Sequence, residues 1–454
     1  MSFRFGDLPT ELIYKIFSYL NSTDLARSCM VSKRWRSIGN SDTLWKHLCE
    51  LDDIHEEYID SKNIPSDGVG CLDPVCKWAF VYSHHMISLT RNWRTHSYSD
   101  TFVPSNVEQV KCHNLWMFQV LSDYQTLAVY ELKDKVFKKL QSLQISNTKA
   151  NIKYLYPIKR SLFLSFGNTI EIFKYVDGKF HLSKMIAITE SGLKTNSNSM
   201  LLGDFLKQYH TCHVDISKIV LLDNYLWLSY GNDLLVVDLT NTIVLKTIKI
   251  TSEEDTLVNN TNMFAVVSIN TITIFFKQGE LHRRINAYYK FKGAISINNN
   301  YIAFIDQDNS RPVVVGCSSG RLQVLNVSHS YCLALNRIHP YVYILHSNGT
   351  FYIFKAIHLV NGACLWSSDI HATVHLWHLR CLKLKIILNK FILILPYNNK
   401  LDNYAVYRLS DGKYCYCGDN LMPLQVDNDK FLIYPCSRFL RKKCGIEYIV
   451  KSLL

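Results

Sequence analysis

One short pattern recurs along this chain: an apolar run, a small polar turn, then a second apolar run. It reads "LFLSFGNTIEIF" at Leu162–Phe173, "LWLSYGNDLLVVDL" at Leu226–Leu239, "FAVVSINTITIFF" at Phe264–Phe276 and "VYILHSNGTFYIF" at Val342–Phe354. "VVVGCSSGRLQVLNV" at Val313–Val327 and "VLSDYQTLAVYEL" at Val120–Leu132 belong to the same set, and "FILILPYNNKLDNYAVYRL" and "FLIYPCSRFLRKKCGIEYIV" follow. Val, Ile, Tyr and Phe fill the runs, and Gly, Asn, Asp and Ser fill the turns, so each copy predicts a β-hairpin. A lone hairpin is marginal in water. Repeated hairpins need neighbours to cover their faces and a closed arrangement to remove their edges. An array of sandwiches would also produce hairpins, but a ring answers both needs. The copies are unevenly spaced near about 40 residues, the length of a four-stranded blade. Residues 101–454 are therefore expected to form an all-β propeller of seven or eight blades.

The first hundred residues read differently. In "DLPTELIYKIFSYL", Asp7–Leu20, the residues Leu12, Ile13, Ile16, Phe17 and Leu20 recur at helical spacing, and Leu8 and Tyr19 add further apolar surface. Pro9 suits a first helical turn and Glu11 suits its positive end. Asn21–Asp24 ends this helix and caps a second, "DLARSCM". Ser32 caps a third turn carrying Trp35 and Ile38, which Gly39 is expected to stop. Ser41 or Asp42 caps "TLWKHLC", with Leu44, Trp45 and Leu48 on one side. An acidic stretch, "ELDDIHEEYIDSKNIPSDGVG", reads as loop. A last helix, "PVCKWAFVYSHHMISLTRNW", carries Val75, Trp78, Val81 or Tyr82, and Leu89. The break between helices and strands falls at "RNWRTHSYSDTFVPSN". So short a first helix cannot bury all of this apolar surface on itself.

Composition narrows the function classes. An apolar fraction of 48% with 19% charged residues describes a globular chain. The net charge of +12 permits an acidic partner without selecting one. "RFLRKKC" at Arg438–Cys444 is the densest basic stretch, and its apolar flanks predict a strand turn. No secretory pattern opens the sequence, and lysines interrupt the most apolar segment, "LKLKIILNKFILILP". A cytosolic or nuclear location is the expectation. There the 14 cysteines act mostly as small buried apolar residues. Cys71 and Cys76, Cys415 and Cys417, His84-His85, and His371/His375/His378 lack the partners a zinc site requires, so no metal or cofactor is expected. No nucleophile elbow, phosphate-binding glycine loop or paired-carboxylate motif is present, so no catalytic residue is assigned.

The N-terminal stretch "LPTELIYKIFSYLNSTDLARSCMVSKRWRSIGNSDTLWKHLC" resembles the F-box. Leu8, Pro9, Glu11, Leu12, Ile16, Phe17, Leu20, Asp24, Leu25, Val31, Ser32, Trp35, Leu44 and Trp45 carry that pattern in order and spacing, with Ser32 where many members have Cys. Trp78 and the "RNW" at Arg91–Trp93 look like the linker helices that precede the blades of F-box/WD-repeat proteins. Most hairpins lack the Gly-His and Trp-Asp signatures, so the repeats would be degenerate. The layout implied is a small all-α F-box (1–50), linker helices (51–100) and an all-β propeller (101–454).

The resemblance implies a non-catalytic substrate receptor of a cullin-RING ubiquitin ligase. Its F-box would dock on a Skp-type adaptor and through it reach a cullin, and its propeller would hold a target protein. Leu8, Pro9, Leu12, Ile16, Leu20, Leu25, Val31 and Trp35 are the expected adaptor-binding residues, whereas Phe17, Trp45 and Leu48 suit the interior of the helix group. If the target is phosphorylated, arginine forks should gather to meet it, and Arg283, Arg284, Arg311, Arg321 and Arg337 are the candidates. For any one such arginine, a solvated loop charge or a structural pair is the more common explanation. Two other readings stand beside this one: a scaffold that binds the adaptor without degradation, and a basic propeller that binds nucleic acid or an acidic surface. No membrane partner is expected.

Overall fold

The computed structural model describes residues 8–51, 54, 76–95, 97–104, 106–113, 115–133, 136–145, 151–158, 160–189, 192–196, 216–230, 233–241, 243–249, 256–260, 262–268, 271–286, 289, 291–336, 339–348, 352–370, 382–396, 404–417, 425–427, 430–435 and 446–453. The chain divides into two compact units, residues 1–98 with 453–454, and residues 99–452. The acidic stretch after α4, apart from Ile54, and the basic "RFLRKKC" segment lie outside the described residues.

Among the described residues five helices build the first unit: α1 (Thr10–Phe17), α2 (Ser22–Ser28), α3 (Lys33–Gly39), α4 (Asp42–Leu51) and α5 (Lys77–Thr95). Side-chain caps start two of them. Asn21 Oδ1 accepts the Asp24 N–H at 2.9 Å ahead of α2, and Ser32 Oγ accepts the Trp35 N–H at 3.1 Å ahead of α3. Gly39 ends α3 for a steric reason rather than a left-handed one. A Cβ there would meet Cys29 Sγ at 2.4 Å, and the next residue, Asn40, has φ −84°. The buried core joins Ile13 and Phe17 of α1, Leu25 of α2 and Ile38 of α3 to Trp45 and Leu48 of α4. α5 contributes Ala79, Val81 and Tyr82 to it. The polar end of each large ring finds a partner: Trp45 Nε1 donates to the Gly39 carbonyl at 2.8 Å, and Tyr82 Oη donates to Ser22 Oγ at 3.0 Å.

The second unit is a propeller of eight antiparallel sheets, seven with four strands and one with five. Blades 1 to 7 span 107–144, 154–196, 216–249, 256–286, 291–324, 330–369 and 382–417. Blade 2 carries the fifth strand, Gly192–Asn196, outside Lys179–Thr189. In blade 8 the three C-terminal strands, Gln425–Asp427, Phe431–Pro435 and Ile446–Ser452, take their outermost strand, Ser99–Pro104, from the start of the unit. Ser99 pairs with Ser452 and Phe102 with Ile449, so the first and last strands close the ring. First strands of successive blades neighbour one another from blade 1 to blade 3 and from blade 4 to blade 7, and that of blade 8 neighbours that of blade 1. Seven of the eight expected hairpins are the second and third strands of a blade; the exception, Val313–Val327, joins the third and fourth strands of blade 5.

Blades are bound to each other by packing and by polar stitches. Trp227 of blade 3 stacks on Phe264 of blade 4 at 4.4 Å, and its Nε1 donates to the Lys277 carbonyl at 2.8 Å. An asparagine ladder runs through the turns after the first strands of blades 4, 5 and 6. Asn260 Nδ2 donates to the Asn298 carbonyl and Asn298 Nδ2 to the Asn336 carbonyl, each at 2.8 Å across a separation of 38 residues. Each side-chain oxygen meanwhile accepts N–H groups of its own turn, Asn298 Oδ1 from Asn300 and Tyr301. One side chain thus shapes a turn and ties it to the next blade.

Candidate docking surface on the helical unit

α1 is apolar on two faces. Ile13 and Phe17 point into the helical core, with Leu20 half-buried one turn on. Leu12 and Ile16 follow the same spacing one residue earlier, about 100° round the helix from the core face, and Tyr19 lies in the turn just beyond the helix. Their exposures are 51%, 36% and 75%. Met30 and Val31, between α2 and α3, are 71% and 65% exposed. Pro9 is also exposed. Within this unit these side chains are left to solvent.

The frame beneath them is held by hydrogen bonds. Arg34 of α3 donates to the Leu8 carbonyl at 2.6 Å and to Thr10 Oγ1 at 3.3 Å, which fixes the entry to α1. Arg36 Nε donates to the Cys29 carbonyl at 3.1 Å, tying α3 to the end of α2. Trp35 meets Phe17 edge-on at 5.3 Å, so its ring braces α1. α5 is anchored at its start: Asp42 Oδ1 accepts the Trp78 N–H at 3.3 Å, and Cys76 Sγ accepts the Ala79 N–H at 3.4 Å. Burial is the main cause that pushes the Cys76 thiol up to about 11, with Asp42 adding to it, so this sulfur stays protonated at neutral pH.

Of the eight residues expected on the adaptor face, Pro9, Leu12, Ile16 and Val31 are exposed, and Leu8, Leu20 and Trp35 are half-buried against the core. Leu25 is a correction. It is 1% exposed because it is the one large apolar residue of α2 and must supply that helix's inner contact. Tyr19 and Met30 are the exposed members that sequence reasoning left out. For Tyr19 the signal was available in its spacing from Leu12 and Ile16. Met30 lies in the turn beyond α2, where helical periodicity no longer applies.

Among the described residues the arginine candidates of the propeller are gathered only in part: Arg283 reaches the Ser319–Gly320 turn that immediately precedes Arg321, whereas Arg311 lies elsewhere. Arg311 lies in the turn between the second and third strands of blade 5, and Arg321 in the turn between its third and fourth, at the opposite end of the sheet. Arg283 Nη1 donates to the Ser319 carbonyl at 2.9 Å, which commits it to joining blade 4 to blade 5. Arg284, the next residue of the same strand, is exposed. Arg337 lies outside the described residues. Among the described residues no group of three or more His, Cys, Asp or Glu could hold a metal ion, and no helix is long and apolar enough to cross a membrane.

Comparison with known proteins bears on the helical unit. Residues 5–51 match the F-box-like family model. A protein of Aspergillus niger named "Probable E3 ubiquitin ligase complex SCF subunit sconB" is 42% identical over 43 residues, 10% of this chain and 6% of that protein. Its namesake in Penicillium rubens is 44% identical over 43 residues, with the same shares. The match thus spans 6% of the length of these curated relatives. Among solved structures, Sqt1 of Saccharomyces cerevisiae has a TM-score of 0.46 at 10% identity, covering 75% of this chain and 91% of its own. BamB from Moraxella catarrhalis has 0.45 at 9%, covering 78% and 98%. The N-terminal segment of this chain is an F-box-like domain, and an eight-bladed propeller follows it in the same polypeptide.

Proposed function

We propose that this chain is the substrate-recognition subunit of a Skp-cullin-F-box ubiquitin ligase. The F-box-like helices dock on the Skp-type adaptor, the adaptor reaches the cullin, and the propeller holds a target protein. No chemistry is asked of the chain itself, since ubiquitin transfer belongs to other subunits. The observation that carries the reading is the second apolar face of α1, Leu12 and Ile16, continued by Tyr19 in the turn after it, with Met30 and Val31 also exposed. Fully burying a side chain such as Leu12 or Val31 contributes about 1.5–3 kcal/mol, so a few of them support a stable complex. The position of this face inside the F-box-like match, in a segment similar to proteins named as SCF subunits, supports the choice of partner.

The target enters at the propeller, phosphorylated or not. Arg284, Arg311 and Arg321 are exposed and remain the proposed contacts for a phosphate-bearing target, with Arg283 reaching the turn beside Arg321. The assembly works in the cytosol or nucleus. Deleting residues 1–50 in cells tests the reading. The receptor role predicts that at least one protein captured by the propeller accumulates and loses its ubiquitin. Capture with unchanged ubiquitination and lifetime would instead favour a scaffold that binds the adaptor without degradation.

A further inference from the structure

The outer rim of the propeller is electrically lopsided. Blade 1 ends in Val136–Gln144, which carries Lys138 and Lys139; blade 2 has Lys179 and Lys184 on Lys179–Thr189. Blade 3 ends in Ile243–Lys249 with Lys246 and Lys249, and blade 4 in Leu281–Asn286 with Arg283 and Arg284. None of these four strands contains Asp or Glu. The matching strands of blades 5 to 8, Leu322–Val324, Cys364–Asp369, Tyr414–Cys417 and Ser99–Pro104, hold no Lys or Arg, and two of them carry an acid, Asp369 and Asp100. The four basic strands adjoin. Gln141 donates to the Phe180 carbonyl at 2.9 Å and accepts its N–H at 2.7 Å, joining blades 1 and 2. Lys184 Nζ donates to the Leu239 carbonyl at 3.1 Å, joining blades 2 and 3.

Lysine on an edge strand also discourages pairing between molecules, which is its commonest use. Strand length alone does not explain the distribution here. Leu281–Asn286 and Cys364–Asp369 each have 6 residues, yet one carries two arginines and the other no cation. Some of the charge is spent internally: Lys249 pairs with Asp233 at 2.8 Å, and Lys184 and Arg283 hold backbone carbonyls. Lys139, Lys179, Lys246 and Arg284 are exposed. Between the cations stand the exposed aliphatic residues Val136, Ile243, Leu245 and Leu281.

We infer that the rim of blades 1 to 4 is a docking surface for an extended acidic segment of a partner protein. Lysine charges meet carboxylates without a fixed geometry, whereas a phosphate reader draws on arginine forks. The interleaved aliphatic groups suit an acidic segment that also carries apolar side chains. The last strands of blades 1, 3 and 4 have a strand neighbour on one side only among the described residues, so a segment can add alongside them. Nucleic acid fits less well: the two phenylalanines of these four strands, Phe137 and Phe180, are buried, which leaves only the smaller imidazoles of His181 and His282 for a base to stack upon. A membrane fits less well because a plane touches a convex rim over one or two blades. The inference does not depend on adaptor docking.

The test measures fluorescence anisotropy of a labelled peptide of alternating glutamate and valine, titrated with the full chain at low salt. A K139E/K179E/K246E/R284E variant is expected to bind at least about tenfold more weakly, with an unchanged melting curve as the folding control. K413E, in the turn before the last strand of blade 7 and away from this rim, is expected to bind as the parent does. The Leu12→Asp/Ile16→Asp variant should also bind the peptide normally, which separates this surface from the adaptor face. Equal binding by the rim variant overturns the proposal. So does a single-stranded RNA oligonucleotide or a phosphatidylserine vesicle that binds the chain more tightly than the peptide and loses binding in the same variant.

Discussion

Helix α1 and the second strand of blade 2 pose the same problem and meet different ends. Both are apolar on two sides. The strand Ser161–Phe166 is buried from Leu162 onward, because Leu162 and Leu164 pack toward blade 1 and Phe163 toward blade 3. In α1, Ile13 and Phe17 are covered while Leu12 and Ile16 are not. A ring provides two neighbours for every blade, whereas a small helical group has one core to offer. Surplus apolar surface therefore signals a partner only where the chain's own architecture leaves it uncovered. Three short helices with an uncovered face are such a place, and the middle strands of a closed propeller are not.

That contrast can be broken within α1 itself. Phe17→Ala empties a core site beneath Trp35 and is expected to cost about 3–5 kcal/mol of helical-unit stability. Ile16→Ala, on the exposed face, should change stability by within about 0.5 kcal/mol. Urea unfolding followed by the far-UV helical signal reads both, and equal losses would mean that the outer face is already covered in the free chain. The propeller side is sharpened by Asn298→Ala. It leaves two turn N–H groups and the Asn336 carbonyl without their partner, for an expected loss of about 1–3 kcal/mol in the propeller transition. A neutral result would show that the asparagine ladder adds nothing to blade packing. Ser32→Ala removes the cap of α3 and should cost about 1 kcal/mol, with Ser32→Asp retaining most of it.

The smallest expected effect is a pH slope. Burial, and then the nearby Lys355, hold the His346 imidazole below its ordinary value of 6.5. The unfolded chain takes up a proton there more readily than the folded one. The contribution is therefore fully present above the unfolded value and is lost as pH falls below it. His346→Gln should flatten the decline in melting temperature between neutral pH and pH about 5.5. An unchanged slope would assign the acid sensitivity to other groups.

The two units were legible to different depths for the same physical reason. A docking segment is read residue by residue, because each position of "LPTELIYKIF" meets a particular neighbour; even so, Leu25 was assigned outward when α2 needed it inside. Blades are read as repeats. The expected hairpins are mostly the buried middle strands, whose two apolar faces give an unbroken signal, for example "FILILP" in Phe391–Pro396. The outer strands alternate or lose that pattern, as Ile243–Lys249 does with most of its residues exposed, so they left the count at seven or eight. Blade 8 was the hardest to count, because its closing strand, Ser99–Pro104, lies in the stretch read as the break between helices and strands. Arg283 meets the turn before Arg321 while Arg311 lies at the other end of blade 5, because spacing along a blade does not say which end of the sheet a turn occupies.

The central claim is that the exposed face of the F-box-like helices is a docking face and not loose surface. It is tested most directly by isothermal titration of a purified Skp-type adaptor into the intact chain and into a Leu12→Asp/Ile16→Asp variant. The account predicts tight one-to-one binding by the intact chain, a loss of at least about a hundredfold in the variant, and coincident melting curves for the two proteins. Binding of equal strength by both, or no binding by the intact chain, would contradict it.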